Sequence, residues 1–233
     1  MKHKLFKSIF VGCLVSLLAT QVFSQPPNNT PKNPNLTQLI SKTSNEQIPI
    51  SYGIVIDTSA NMQTLLPTAI KIAKNLVGQS KIMDEFFIVD MKNTSNIELL
   101  KDFNTKLELS SNILDNVTAN RSSSLLDGII VSGEYLQSGK NKQKVLIVLS
   151  DGIDDNSTYT IDQAVNKLKS YQVQLCFIKL TPIKDKKSNN EFEKKASKLI
   201  TSLINGVGGL KYSVSDPKDI DLLAQKVFTD IRQ

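Results

Sequence analysis

The stretch Ile54-Val55-Ile56-Asp57-Thr58-Ser59-Ala60-Asn61-Met62 decides how the rest of the chain is read. Apolar residues run from Ile50 almost without a break and stop at a carboxylate. Oxygen-bearing side chains then follow at every second position, Asp57, Ser59 and Asn61. A strand that is apolar along its length is one covered on both faces. Carboxylate, hydroxyl and amide oxygens are the donors a hard cation such as Mg²⁺ takes while keeping some of its waters. The segment therefore reads as a buried strand ending at a candidate metal seat.

Working outward, strands and helices alternate. Met62 to Leu76 has Leu66, Ala69, Ile70, Ala73 and Leu76 at three- and four-residue spacing, which predicts a helix lying on a sheet. Pro67 is tolerated only in the first turn, so the regular helix starts beside it. Phe86 to Met91 and Ile97 to Leu100 are strands joined by the turn Asn93-Thr94-Ser95-Asn96, hence an antiparallel hairpin. A short helix over 110–117 and a second over 124–136 precede Val145-Leu146-Ile147-Val148-Leu149, the strongest apolar run after residue 24. Helices over 161–170, 192–204 and from Pro217 onward then alternate with strands over 173–180 and 210–214, and a polar loop spans 181–190. This pattern predicts an α/β fold: a doubly wound, mostly parallel six-stranded sheet with helices on both faces.

In such a sheet, ligands sit outside the carboxyl ends of the strands. Three oxygen-rich segments converge there. They are Asp57 to Asn61, then Asn120-Arg121-Ser122-Ser123-Ser124, then Ser150-Asp151-Gly152 with Asp154 and Asp155 beyond it. Their donors suit Mg²⁺, Mn²⁺ or Ca²⁺ and not zinc or copper. The bland alternatives are structural. Asn61 and a serine of 122–124 could cap the following helices, and Asp57 could serve backbone amides. Asp154 and Asp155 read as exposed loop residues, Gly152 as a turn residue, and Gly128 and Gly133 as points of close packing against the sheet.

On these motifs the chain resembles a von Willebrand factor type A domain over roughly residues 49 to 232. Asp57-Thr58-Ser59-Ala60-Asn61 is similar to the first loop of that family's metal-ion-dependent adhesion site, and Asp151-Gly152 fits the later strand end. The resemblance implies sheet order 3-2-1-4-5-6 with strand 3 antiparallel. It also implies a metal held directly by Ser59, Asn61 and Ser123, by Asp57 directly or through water, and by Asp151 mainly through water. A carboxylate of a partner protein would complete the site. The chain departs from the family pattern at Asn61, where a serine is usual, and at Ser123, where a threonine is usual. Both changes keep an oxygen.

Composition narrows the function classes. Lys2, His3, Lys4 and Lys7 precede the apolar stretch Ser8 to Thr20, and Val22-Phe23-Ser24 suits a cleavage site, so 1–24 reads as a signal peptide. The alternatives are a retained anchor and a lipoprotein-type cleavage box at Phe10-Val11-Gly12-Cys13, which sits early in the apolar stretch. Residues 25–46, rich in Pro and Asn, read as a flexible spacer, and 47–233 as the folded domain. Export to periplasm, cell surface or medium follows. Losing three lysines and no acid takes the formal charge from +6 to +3. No basic stripe marks a nucleic-acid partner, and no membrane partner is expected after cleavage. The only histidine is His3, and Cys176 is the only cysteine after Cys13. A Ser-His-Asp triad, a His-ligated zinc and an intramolecular disulfide are thereby excluded from 25–233. A phosphatase of the haloacid-dehalogenase kind would need a carboxylate where Ser59 stands. The expected function is a non-enzymatic, exported protein-binding module. The alternative is an assembly component of an envelope or surface complex with a degenerate, metal-free site. A metal-dependent hydrolase is the third reading.

Overall fold

The computed structural model describes residues 48–93, 96–105, 113–120, 122–182, 190–214 and 216–233. The chain divides into two units, Met1–Asn45 and Glu46–Gln233, and every described residue belongs to the second. The expected signal peptide and spacer lie outside the described residues, as do Arg121, residues 110–112 and most of the 181–190 loop.

The elements are β1 (Ile50–Asp57), α1 (Leu66–Gly78), β2 (Glu85–Asn93), β3 (Asn96–Asn104), α2 (Leu125–Tyr135), β4 (Gln143–Ser150), α3 (Ile161–Ser170), β5 (Val173–Leu180), α4 (Asn190–Val207), β6 (Leu210–Val214) and α5 (Ile220–Asp230). The sheet order is β3-β2-β1-β4-β5-β6, with only β3 antiparallel to its neighbour. β1 is buried along its whole length. Alternation of side chains assigns each residue a face. Tyr52, Ile54, Ile56, Val145, Ile147 and Leu149 pack with α1 and α5, whereas Val55, Phe87, Val89, Leu146 and Val148 pack with α2, α3 and α4.

Several boundaries differ from expectation. Met62, expected to open the helical stretch, belongs with Asn61 to a single 3-10 turn, Ala60–Met62, and α1 begins at Leu66, beside Pro67 as expected. Pro67 sits in the first turn, where its missing N–H leaves nothing unpaired. The described part of 110–117 is a turn rather than a helix; Leu114 is spent on packing against the α1 face of the core. β3 runs on to Asn104 because Phe103 joins an aromatic cluster with Phe87 and Tyr135, centroids 5.0 and 5.7 Å away.

Gly53 makes room for that cluster. A Cβ there would lie 2.2 Å from the tip of the Phe87 ring. Gly53→Ala is expected to destabilise the domain by about 1–3 kcal/mol through overpacking, measured by urea unfolding. Gly128 allows close approach to Met91 of β2, as expected; Gly133 instead makes room for Leu168 of α3.

Candidate functional site

The site is built at the carboxyl ends of β1 and β4, where the central strands hand over to loops. Asp57 is the last residue of β1 and is fully buried. Its Oδ1 accepts the Ser59 amide at 2.9 Å, and its Oδ2 accepts the Ser150 hydroxyl at 2.5 Å. Ser150 Oγ accepts the Gly152 amide in turn at 2.9 Å. The two strand ends are thus tied through one serine that the oxygen-rich motif contains but that was not expected to act. Burial pushes the Asp57 carboxyl up to about 6; the Ser150 and Ser59 amide bonds oppose that rise, and the nearby Asp151 adds to it. Thr58 turns the other way and donates to Asp90 at 2.5 Å.

Ser59 and Ser123 are both buried, and the hydroxyl oxygen of each has no hydrogen-bond partner. The Ser59 hydroxyl is close enough to the Asp57 carboxylate to favour its charged form, without a hydrogen bond of ordinary length and angle. Orphaned hydroxyls in a polar, buried place cost stability unless something satisfies them. A hard cation is such a partner, so the donor set fits the ion that the resemblance implies. Among the described residues no cluster of three or more Asp, Glu, His or Cys could hold a metal, so a cation here would depend on hydroxyl and amide oxygens beside Asp57 and Asp151.

Asn61 is exposed and caps neither its own turn nor α1. With half-buried Asp151 it lines a cavity of about 450 Å³ that also takes in Asp155, Lys179 and Phe192. Burial raises the Asp151 pKa and the charge of Asp155 adds to it; the Ile153 amide and Lys179 pull the other way. Gly152 adopts φ +86°, and a Cβ there would meet Ile200 Cδ1 at 2.5 Å, so the turn expected of it is one only glycine makes easily.

The middle segment is held by a clamp the residue pattern concealed. The Ser123 carbonyl accepts the amides of Asp155 and Asn156 at 3.2 and 2.9 Å. Ser124 stands at the N-cap of α2 but makes no capping bond with its side chain. Asp154 Oδ1 accepts the Leu125 amide at 3.2 Å, and Ser157 Oγ accepts that of Leu126 at 3.0 Å. The exposed-loop expectation holds for Asp155 and fails for Asp154, which is half-buried because it caps a helix from another segment. Asp127 returns the contact, its carboxylate accepting the amides of Thr158 and Tyr159 at 2.9 and 3.0 Å. Ser124-Leu125-Leu126-Asp127 has the spacing of a capping box, and that signal could have drawn attention to Asp127, though not to its distant partners. Asp127→Ala is expected to cost about 1 kcal/mol by removing the acceptor of the part-buried Thr158 and Tyr159 amides, and to speed hydrogen exchange at 158 and 159.

Residues 53–220 match the von Willebrand factor type A domain family. No curated protein matches the chain. Solved structures with this fold include BatB from Bacteroides thetaiotaomicron, with 12% identity, TM-score 0.61, and coverage of 79% of this chain and 100% of that one. Another is the D319A mutant of the PilB minor pilin from Streptococcus sanguinis, with 12% identity, TM-score 0.59, and coverage of 82% and 63%. A third is the vWF domain of the type V pili tip protein Mfa5 from Porphyromonas gingivalis, with 12% identity, TM-score 0.56, and coverage of 80% and 97%. At such identities the likeness concerns the fold alone. The family match spans most of the sequence and agrees with the strand order, and this chain belongs to the von Willebrand factor type A domain family.

Proposed function

We propose that this chain is a non-enzymatic protein-binding module that serves as an assembly component of an envelope or surface complex, exported by a signal peptide at 1–24 and held off by a spacer at 25–46. The observation that carries the reading is the loop clamp. Ser123, Asp127, Asp154 and Ser157 lock the middle and later loops together on a rigid sheet, and side chains presented that way suit recognition. The fold's presence in a minor pilin and a pilus tip protein supports the same direction.

A second reading keeps the cation, and the two orphaned hydroxyls favour it. Ser59, Asn61 and Ser123 would hold Mg²⁺, Mn²⁺ or Ca²⁺ directly, with Asp57 and Asp151 behind them. Such an ion would turn an acidic face into one that attracts a partner's carboxylate. The discriminating experiment isolates the chain from its native envelope as wild type and as Asp57→Ala, each with Mg²⁺ or with EDTA. Co-purifying proteins that survive both changes support metal-free assembly. Loss under both supports the cation-dependent form. A chain that retains no protein under any condition overturns the module reading.

A further inference from the structure

The opposite end of the sheet carries a second exposed surface. Ile82, Met83 and Ile48 are 80%, 66% and 64% exposed, which is unusual for large apolar side chains grouped together. Hydrogen bonds bring their segments to one place. Asn141 Nδ2 donates to the Met83 carbonyl at 2.9 Å and to that of Ile50 at 3.0 Å, and Arg232 Nη1 donates to the Ile48 carbonyl at 2.9 Å. The loops so joined also carry Lys81, Lys140 and Lys142, all exposed. Two further cations, Arg232 and the half-buried Lys144, stand against the two carboxylates of this end, Asp84 and Glu85, and the three exposed lysines remain in excess. Asp84 is buried against Arg232, and Glu85 is buried and accepts the Ser51 hydroxyl and the Lys140 amide.

Against the expectation from composition that no membrane partner remains after cleavage, we propose that this end of the sheet docks on an anionic lipid bilayer. Ile82, Met83 and Ile48 enter the interfacial layer, and Lys81, Lys140 and Lys142 meet headgroup phosphates. Apolar side chains ringed by lysine are the composition that binds such an interface, with apolar burial and electrostatic attraction adding. Three protruding side chains are too few for the core of a stable protein interface, which buries about 800 Å² on each partner. A fluid surface needs no matching shape. Docking of this kind involves no span; among the described residues no helix is long and apolar enough to cross a membrane. The surface lies opposite the loop face, so its binding is independent of the partner and metal readings above.

The test is co-sedimentation of the exported chain, its N terminus read by mass spectrometry, with phosphatidylglycerol-containing vesicles and with phosphatidylcholine vesicles. The readout is the ratio of the two affinities in each variant relative to that in wild type, so that the anionic preference of any retained N-terminal segment with Lys2, Lys4 and Lys7 enters all of them equally. Wild type is expected to prefer the anionic vesicles. Neutralising the three lysines (Lys81→Gln, Lys140→Gln, Lys142→Gln) is expected to lower that ratio roughly a hundredfold, at about fivefold per lysine. Ile82→Ser with Met83→Ser is expected to weaken anionic binding roughly tenfold or more. All these residues are exposed, so the thermal melts are expected to match wild type. No anionic preference in wild type overturns the proposal, as do variants that bind like wild type. So does a dimer in sedimentation velocity that Ile82→Ser with Met83→Ser abolishes while vesicle binding is absent, since the surface would then pair with a second copy.

Discussion

Arg232→Met is expected to destabilise the domain by about 3–5 kcal/mol, the usual cost of breaking a buried ion pair from one side. For a domain of this size that corresponds to a melting temperature lower by roughly 10 °C. Asp84 is fully buried near the start of β2, and the Arg232 guanidinium is almost as deep. The carboxylate also accepts the Ile50 amide at 3.1 Å and the Lys81 amide at 2.6 Å. Arg232 stacks over Phe228 of α5, 5.5 Å from the ring centroid. The pair therefore joins the end of α5 to the start of β1 and to the turn before β2. Removing the arginine leaves a buried carboxylate with backbone donors alone. Asp84→Ala is expected to cost more, because it strands the guanidinium and two amides together. Urea unfolding of both single variants and of the double variant checks this. Single variants that each lose less than about 1 kcal/mol would mean that solvent reaches the pair.

Asp57→Asn is expected to make the metal-free domain more stable above pH 6 while removing any response to divalent cations. The folded Asp57 carboxyl has a pKa of about 6, against an ordinary 3.8. Burial makes the charged form costly, so the folded state holds the proton more tightly than the unfolded chain does. The stability this gives is complete below the unfolded pKa and is lost as pH rises through the folded one. By pH 7 to 8 the loss amounts to about 3 kcal/mol. An amide carries no such cost but disturbs the bond from Ser150 at every pH, so a net gain of about 1–2 kcal/mol is expected at pH 8 and a net loss of about 1 kcal/mol at pH 4, where wild-type Asp57 is protonated in the fold. Urea titrations in EDTA at the two pH values measure the difference. Adding Mg²⁺ at pH 8 is expected to raise the wild-type midpoint and leave that of Asp57→Asn unchanged if the cation reading holds. A variant that differs from wild type by the same amount at pH 8 and at pH 4 would contradict this account of Asp57.

The same physics explains which features could be seen in the residues alone. β5, β6 and α3 have the bounds expected of them, because a strand or helix with one clear apolar period is bounded by residues that break it. The start of α1 was set by Pro67, a local restriction legible in any context. The end of β3 was not local: Phe103 extends the strand because Phe87 and Tyr135 stand next to it, and neither is near in sequence. Asp154 shows the same limit at the site. Its neighbours describe a polar loop, and only the approach of α2 makes it a cap.

The sequence by itself determined the doubly wound sheet and the strand order that its family resemblance carried, and it raised the expectation that Asp57, Ser59, Asn61, Ser123 and Asp151 meet at one end of the strands. It could do so because alternation, periodicity and strand-end position are properties of short segments and of topology. Only the tertiary structure decided the rest: that Ser150 bridges to Asp57, that the Ser59 and Ser123 hydroxyls are buried without partners, that Asp127 and Asp154 clamp two loops, and that Arg232 closes on Asp84. Each of these depends on which distant groups exclude water together. Burial is what turns a serine, an aspartate or an arginine from a solvated side chain into one that must find a partner.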